Sequence, residues 1–337
     1  MIYDCWLQMY NFHTSMKPLD LHPIMQVHHL DQSALPMFKK AVVTIGSFDG
    51  VHLGHQQIIQ QLKAEAAAIG GESIIISFYP HPRSVISQNP DNIKLLGTLE
   101  EKTRLLAATG IDHLVIVPFD QAFASQSAEA YISDFLVANF HPHTVIIGYD
   151  HKFGNNRTGD FHLLKSFGDQ LGFEVKEIPE HLLHQIGVSS TKIRQAISNC
   201  HIETANQFLG YPYFFGGRVV MGNQLGRTIG YPTANIVLSD LEKLLPGNGV
   251  YAVKARIKGN TQAPEWKGMM NIGVRPTVDG FNQVIEVNIF DFEGDLYGKS
   301  LEVEVLVFLR AEQKFNGLDA LKTQLGLDQA LAKRLLA

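Results

Sequence analysis

The sequence predicts a chain in two parts: an α/β domain with a doubly wound parallel sheet, then an antiparallel β-barrel that ends in a helix. Three observations support this prediction. Residues 41–178 alternate apolar strand patterns with helical patterns. After about residue 211, short strands of period two are separated by Gly- and Pro-rich turns, and residues 318–336 have a helical pattern. A length of 337 residues is enough for two domains.

Strands with near-continuous apolar cores indicate a sheet that is buried on both faces. We predict these strands at 41–46, 73–78, 113–119 and 144–149, with 173–178 at an edge. Helical patterns are found at 55–70, 98–110, 127–140 and 161–172, and a further helix at 189–199. This alternation predicts βαβ units with right-handed crossovers.

The second part shows strand patterns at 249–257, 283–290 and 300–309. We therefore divide the chain into an α/β domain at 39–205 and a barrel domain at 206–337, after a poorly patterned extension at 1–38. Translation could start at Met16 or Met25 within that extension.

Composition excludes several classes of protein. The net charge of -5 argues against a nucleic-acid binder, which usually carries a basic surplus. No apolar run is long enough to span a membrane, and the N-terminus lacks the pattern of a secretory signal. Cys5 and Cys200 are too few and too distant for a disulfide framework, so we expect a protein of the reducing cytoplasm.

The stretch "AVVTIGSFDGVHLGHQQII" at 41–59 joins the first apolar strand to a helix through a glycine turn. Gly46 and Gly50 allow close backbone approach to a ligand, and the helix N-terminus attracts phosphate. His52 and His55 lie about one helical turn apart, with Gly54 between them. Two imidazole donors there would stabilise the charge that develops when a P–O bond breaks. This pattern favours a nucleoside triphosphate site.

The histidine pair has three other interpretations. A zinc site needs more ligands, and no third His or Cys is close in sequence. A dinucleotide site would require G-x-G-x-x-G, which is absent here. Two ordinary surface histidines would be the simplest interpretation, but strand, glycine turn, histidine pair and helix coincide.

A second phosphate motif is "SSTKIR" at 189–194, where hydroxyls at a helix N-cap precede two basic residues. Lys192 and Arg194 would complete a phosphate clamp. An ordinary capped amphipathic helix is the alternative interpretation of this segment.

In the second part, "GRVVMGNQLGRTIGYPTANI" at 217–236 is a glycine-rich segment without a Walker motif. Thr233 and Asn235 offer the oxygen ligands that Mg²⁺ prefers, although a turn-rich connection would look similar. Glu286 is a single acid within an apolar strand, which suits a general base, and an exposed strand face is the alternative.

"FDGVHLGH" resembles the H-x-G-H signature of the nucleotidylyltransferase superfamily. Together with "SFYPHP", "GYDHKFGNNRTGD" and "SSTKIR", it resembles the bacterial bifunctional riboflavin kinase/FAD synthetases. The segments "GRTIGYPTANI", "GVYAV", "NIGVRPTV" and "DLYGK…FLRAEQKF" are similar to the riboflavin kinase domain of that family. The resemblance covers about residues 41–337.

The resemblance implies that the first domain transfers an adenylyl group from ATP to FMN with Mg²⁺, giving FAD. It makes His52 and His55 the catalytic residues, and Asp150 and Asn155 flavin contacts. The residues implied to bind the ATP phosphates are Gly46, Phe48, Asp49, Gly50, Ser189, Thr191 and Arg194.

The same resemblance implies that the second domain phosphorylates riboflavin with ATP to give FMN. Glu286 would be the catalytic base, Thr233 and Asn235 the Mg²⁺ ligands, and Arg310 a flavin contact. The residues implied to bind ATP in this domain are Gly222, Gly226, Arg227, Gly230 and Pro232.

Three positions depart from the family pattern: Ser47 replaces the commoner Asn, His151 an aromatic residue, and Asn288 a frequent His. Ser47 and Asn288 are polar replacements beside the implied sites, so we expect effects on rate or affinity rather than on reaction type. The sequence leaves two alternative functions open. One is a flavin- or nucleotide-binding regulator without turnover, and the other is a different nucleotidylyltransferase with one inactive domain.

Overall fold

A computed structural model describes residues 25–87, 94–179, 187–222, 224–259, 264–277 and 280–337. The first 24 residues of the predicted extension, with Cys5 and Met16, lie outside these ranges. The described chain contains a parallel sheet followed by a closed antiparallel barrel and a C-terminal helix, so the predicted fold class is confirmed.

The sheet has six strands in the order β1-β4-β3-β2-β5-β6. Every neighbouring pair is parallel. Their bounds are β1 Gln26–His29, β2 Val42–Ile45, β3 Ser73–Tyr79, β4 His113–Pro118, β5 Thr144–Gly148 and β6 Glu174–Ile178. The four apolar strands predicted from the sequence are β2 to β5, and β6 lies at the predicted edge.

Both faces of the sheet are covered, as the apolar strands predicted. Val42 and Ile75 contribute to one core, whereas Val43 and Ile74 contribute to another. Alternate residues of a strand point to opposite faces, so both faces are buried. The helices of this part are α1 Leu53–Ile69, α2 Pro82–Ile86, α3 Leu99–Ala107, α4 Gln121–Ala124, α5 Ala128–Ala130, α6 Ala138–Phe140, α7 Phe161–Leu171, α8 Ser190–Ser198 and α9 Ile202–Leu209. A π-helical segment at Tyr131–Val137 joins α5 to α6, and a 3₁₀ turn spans Asn155–Arg157.

Strand β1 lies in the stretch where the sequence showed no pattern. It pairs with β4 from Gln26↔His113 to His29↔Ile116, at the outer edge of the sheet. Its four residues, QVHH, contain one apolar side chain, and that side chain is exposed. An edge strand of this composition has no apolar run to reveal it. The predicted boundary at residue 39 therefore leaves β1 in the extension, although it pairs with the sheet.

The second part is a closed barrel with strand order β10-β11-β8-β7-β12-β9. Its strands are β7 Tyr213–Val220, β8 Ala234–Leu238, β9 Gly249–Ile257, β10 Trp266–Thr277, β11 Gly280–Ile289 and β12 Ser300–Arg310. The sequence predicted β9, β11 and β12. It did not reveal β7 and β10, whose apolar patterns are broken by glycines, or the short β8.

Three helices pack against the barrel. Ile193 of α8 and Ile202 of α9 share one core with barrel residues such as Tyr251 and Val303. The predicted division at residue 206 falls inside α9, and the division stays a prediction. A short helix α10, Leu225–Thr228, precedes β8, and the predicted closing helix is α11, Leu318–Leu335. No helix in the described part of the chain is long and apolar enough to cross a membrane.

The barrel contacts helix α3 of the first domain through two lysine–glutamate pairs. Lys243 Nζ donates to Glu101 Oε2 at 2.7 Å and to the Leu96 carbonyl at 2.7 Å. Lys258 Nζ donates to Glu100 Oε2 at 2.6 Å. The Lys243–Glu101 pair is buried, with side chains 3% and 6% exposed, and Lys243 also lies 4.5 Å from the centre of the Tyr213 ring. The second pair lies at the surface.

Candidate active sites

The turn after β2 brings two histidines together at the carboxyl edge of the sheet. His52 is the N-cap of α1, and its Nδ1 accepts a hydrogen bond from the His55 backbone N–H at 3.3 Å. The two rings stack with centroids 3.7 Å apart and planes at 14°. Gly50 has φ +79°, and a Cβ there would lie 2.8 Å from Leu96. The turn therefore requires glycine at this position.

Gly54 leaves room for the imidazole of His52. A Cβ at residue 54 would lie 3.2 Å from two atoms of the His52 ring. A larger residue would therefore push the ring away from its stacking partner.

Both histidines are neutral at physiological pH. Burial lowers the pKa of His52 to about 4, against the opposing charge of Asp49. Burial also holds the pKa of His55 well below its usual value, with smaller contributions from His52 and Lys102. Because Nδ1 of His52 accepts a hydrogen bond, its Nε2 carries the proton. The pair can donate hydrogen bonds to a phosphate, but it does not supply a full positive charge.

Asp49 and Arg194 bind each other across the two predicted phosphate motifs. Arg194 Nη2 donates to Asp49 Oδ2 at 2.5 Å, and Arg194 Nε donates to the Lys94 carbonyl at 3.0 Å. Asp49 also accepts from the backbone N–H groups of Leu96 and Gly97 at 3.0 and 3.2 Å. Its carboxylate therefore orients Arg194, and a carboxylate itself repels phosphate. A role of Asp49 in ATP binding would act through Arg194.

The closing motif lies directly against the first turn. Ser189 is the N-cap of α8 and accepts from the Lys192 N–H at 3.3 Å. Ser190 Oγ donates to the Asp49 carbonyl at 3.2 Å, whereas Thr191 is exposed. This hydrogen bond joins two segments that are 141 residues apart in sequence. The structure brings the two motifs together as a phosphate site requires.

The side chain of Phe48 is buried in the core and not exposed to a ligand. Its ring is 2% exposed and lies 5.0 Å from the ring of His55. Gly46 packs against the same ring, because a Cβ there would lie 3.2 Å from Phe48. Phe48 supports His55 from the core, and contact of its side chain with ATP stays a prediction.

Two residues at this edge were missed by the sequence reasoning. His81 is the N-cap of α2, and burial lowers its pKa to about 4. Lys102 on α3 is 8% exposed, and burial lowers its pKa to about 8. His81 lies within "SFYPHP", which was recognised only as a segment. Lys102 occupies a core-facing position of the helix, between Leu99 and Leu106. A lysine on this apolar face could have indicated a functional residue from the sequence alone.

The loop predicted to contact flavin follows β5. Asp150 and Asn155 are both exposed, and the Asn155 N–H donates to the Gln126 carbonyl at 2.7 Å. Burial lowers the pKa of His151 to about 4, and its buried Nε2 has no hydrogen-bond partner among the described residues. Among the described contacts none joins Asp150 or Asn155 to the histidine pair, and their flavin contacts stay predictions.

The predicted kinase residues meet on one face of the barrel. Glu286 on β11 pairs with Asn235 of β8 and with Asn271 of β10. Directly paired residues in an antiparallel sheet project to the same face, so these three side chains form a polar row. Thr233 immediately precedes β8. The predicted base and the predicted metal ligands therefore lie close together.

The glycine-rich loop packs against this row. A Cβ at Gly222 would lie 2.3 Å from the amide nitrogen of Asn235, and one at Gly226 would lie 2.2 Å from the Tyr231 carbonyl. Gly230 has φ +86°, which favours glycine. Arg227 is exposed, as expected of a residue that reaches a ligand.

Asn288 holds the end of this loop. Its Nδ2 donates to the carbonyl of Pro232 at 2.7 Å, whereas the buried Oδ1 has no partner in the described structure. The residue that departs from the family pattern thus fixes the backbone just before Thr233.

Arg310 is held by the C-terminal helix. Its Nε and Nη2 donate to the carboxylate of Asp328 at 3.0 and 2.7 Å. The Asp328 side chain is 4% exposed and also accepts from Gln324 at 2.9 Å. The guanidinium is therefore committed to a buried ion pair. The predicted flavin contact of Arg310 stays a prediction.

The zinc interpretation finds no support at the histidine pair. Within the part of the chain that the structure describes, no group of three or more His, Cys, Asp and Glu side chains could hold a metal ion. Two imidazoles alone do not make a zinc site.

An open parallel sheet with an H-x-G-H turn at its carboxyl edge, joined to a barrel with its own polar site, defines a two-domain nucleotidylyltransferase. Residues 35–192 match the family model described as FAD synthetase, and residues 209–336 match the model described as riboflavin kinase. The chain belongs to the family of bifunctional riboflavin kinase/FMN adenylyltransferases. The predicted family is confirmed.

Individual relatives match over nearly the whole chain. The bifunctional riboflavin kinase/FMN adenylyltransferase of Escherichia coli K12 is 38% identical over 307 residues, which are 91% of this chain and 95% of that protein. The protein of the same description from Listeria monocytogenes is 40% identical over 289 residues, 86% of this chain and 90% of that one. A crystal structure described as a macrolide-efflux protein from Streptococcus pneumoniae has a TM-score of 0.80 and 31% identity. That match covers 92% of this chain and 99% of the other.

Proposed function

We propose that the two domains catalyse consecutive reactions. The barrel domain, 206–337, transfers the γ-phosphate of ATP to the 5′-hydroxyl of riboflavin and gives FMN. The first domain, 39–205, then transfers the adenylyl group of a second ATP to FMN and gives FAD and pyrophosphate. The observation that supports this proposal most is the presence of two separate groups of site residues, one at the sheet edge and one on the barrel.

In adenylyl transfer the FMN phosphate attacks the α-phosphorus of ATP, and pyrophosphate leaves. No general base is needed, because the second pKa of a phosphomonoester is about 6. The proton on His52 Nε2 points to a role as a neutral hydrogen-bond donor, and His55 would donate in the same way to the developing charge. Ser189, Thr191 and Arg194 would hold the triphosphate in line with FMN.

In the kinase reaction we assign Glu286 as the general base. Its carboxylate would accept the proton of the riboflavin 5′-hydroxyl as the oxygen attacks the γ-phosphorus, and ADP leaves. The pairing of Glu286 with Asn235 supports this role, because it brings Glu286 next to a proposed Mg²⁺ ligand.

The residues of the barrel site fit Mg²⁺, a hard ion that binds oxygen. Thr233 and Asn235 would contribute a hydroxyl and an amide oxygen, and the tight packing of Gly222 on Asn235 keeps that side chain in place. When bound, the ion would shield the negative charge of the ATP phosphates.

We propose that both reactions use small-molecule substrates in the cytoplasm, without nucleic acid. The net charge of -5 and the two distant cysteines support this placement.

Separation of flavins by chromatography tests the function. The protein is incubated with riboflavin, ATP and Mg²⁺, and in a second reaction with FMN, ATP and Mg²⁺. We expect FMN and then FAD from the first mixture, and FAD with an equal amount of pyrophosphate from the second. Absence of any phosphorylated flavin in the first mixture would reject the kinase assignment, and absence of FAD in the second would reject the adenylyltransferase assignment.

A further inference from the structure

Lys102 joins the two motif segments that end at the carboxyl edge of the sheet. Its Nζ donates to Ser77 Oγ at 2.8 Å, to the Ser47 carbonyl at 3.3 Å and to the Phe78 carbonyl at 3.4 Å. Ser47 belongs to the turn that leads to His52, whereas Ser77 and Phe78 belong to β3. All three acceptors are uncharged oxygens.

The buried ammonium of Lys102 is bonded to uncharged oxygens. Among the described residues, no carboxylate forms an ion pair with this ammonium, and the charge of Asp49 acts on it only beyond bonding distance. Asp49 is already bound to Arg194. The two histidines of the site are neutral. A buried ammonium without a carboxylate is costly, so this charge suits a pocket that receives an anion.

We propose that Lys102 is a positioning residue for adenylyl transfer: its buried ammonium holds the two motif segments in place and draws the triphosphate of ATP towards the histidine pair. This inference rests on the FMN adenylyltransferase function proposed for the first domain. It adds a residue of α3 to a site otherwise built from the turn after β2 and the N-terminus of α8.

If Lys102 has this role, the rate of FAD formation should depend on whether Lys102 is protonated. Burial lowers the pKa of Lys102 to about 8, against the attraction of Asp49. The groups shown to interact electrostatically with it are Asp49, His55 and His81, and Arg194 is bound to Asp49. Of Lys102 and these four groups, only Lys102 is expected to change charge between about pH 7 and 10, since both histidines are neutral and arginine stays protonated.

The test compares Lys102→Met and Lys102→Arg with the unchanged chain. For each protein, kcat and KM for ATP are measured in FMN-to-FAD conversion from pH 6.5 to about 10, and riboflavin phosphorylation serves as an internal control of folding. Lys165→Met is the matched surface control, because Lys165 is exposed and pairs only with Asp169 on its own helix among the described residues.

We expect Lys102→Met to lower kcat/KM for FAD formation about 100-fold, with riboflavin phosphorylation within about twofold of the unchanged chain. Lys102→Arg should recover most of the loss. In the unchanged chain kcat/KM should fall above about pH 8, and Lys102→Arg should move that fall to higher pH.

Two results would overturn the inference. One is FAD formation by Lys102→Met at the rate of the Lys165→Met control. The other is a flat pH profile above pH 8 in the unchanged chain, which needs no variant and so cannot be confused with misfolding. If the unchanged chain forms no FAD at all, the proposed function fails instead, so the two failures are distinct.

Discussion

Replacing Lys243 by methionine should destabilise the protein strongly, because it leaves the Glu101 carboxylate buried without its cation. The lysine donates to Glu101 and to the Leu96 carbonyl, both at 2.7 Å, and the side chains of the pair are 3% and 6% exposed. Breaking a buried pair on one side typically costs about 3–5 kcal/mol. Lys258→Met is the matched control, since Lys258 and Glu100 are 28% and 70% exposed. An exposed pair contributes about 1 kcal/mol or less.

Urea unfolding followed by circular dichroism and tryptophan fluorescence measures the difference. We expect the free energy of unfolding to fall by about 3–5 kcal/mol in Lys243→Met and by less than about 1 kcal/mol in Lys258→Met. The double variant Lys243→Met/Glu101→Gln should recover much of the loss, because it removes the unpaired charge and keeps an acceptor for the Thr98 N–H. Equal and small losses in both single variants would refute the reasoning.

Two further predictions follow from the sites. Because the pKa of folded His52 is about 4 and that of an unfolded histidine is 6.5, the unfolded chain gains protons first as the pH falls below 6.5. At 1.36 kcal/mol per pKa unit, the free energy of unfolding should fall by about 2 kcal/mol at pH 5 because of this histidine. Urea titrations at pH 7 and pH 5 should therefore show a fall in the free energy of unfolding that is smaller by about 2 kcal/mol in His52→Asn than in the unchanged chain. An identical fall in both proteins would contradict the assignment. Gly222→Ala places a Cβ 2.3 Å from the Asn235 amide, so riboflavin phosphorylation should fall about tenfold or more while FMN-to-FAD conversion is unchanged. Gly216→Ala, whose Cβ would make only ordinary contacts from 3.6 Å, is the control, and equal kinase activity in the two variants would count against the proposed loop.

The sequence predicted well those elements whose burial produces a simple pattern of apolar residues. Strands β2 to β5 are buried on both faces and have nearly continuous apolar runs. Strand β1 was missed because an edge strand with the sequence QVHH needs no such run. Strand β10 was missed because Gly268 and Gly273 interrupt its pattern.

Site residues that belong to a sequence motif could be predicted. Site residues whose role depends on tertiary contacts could not. His52 stacks on His55, and Ser190 of the closing motif donates a hydrogen bond to the turn that precedes them, whereas the phosphate-binding roles of Ser189 and Thr191 stay predictions. The roles of Lys102 and of the Asp49–Arg194 pair depend on contacts between distant segments, which a single sequence does not encode locally. The ion pair of Arg310 with Asp328 joins β12 to the last helix, and nothing in the strand pattern indicated it.

Two single variants measured by flavin chromatography test the central claim, that the sheet edge and the barrel face are separate sites for two reactions. Glu286→Gln should abolish conversion of riboflavin to FMN and leave conversion of FMN to FAD at the level of the unchanged chain. His55→Ala should lower FAD formation strongly and leave FMN formation intact. Loss of both activities in either folded, monodisperse variant would contradict the assignment of one reaction to each domain.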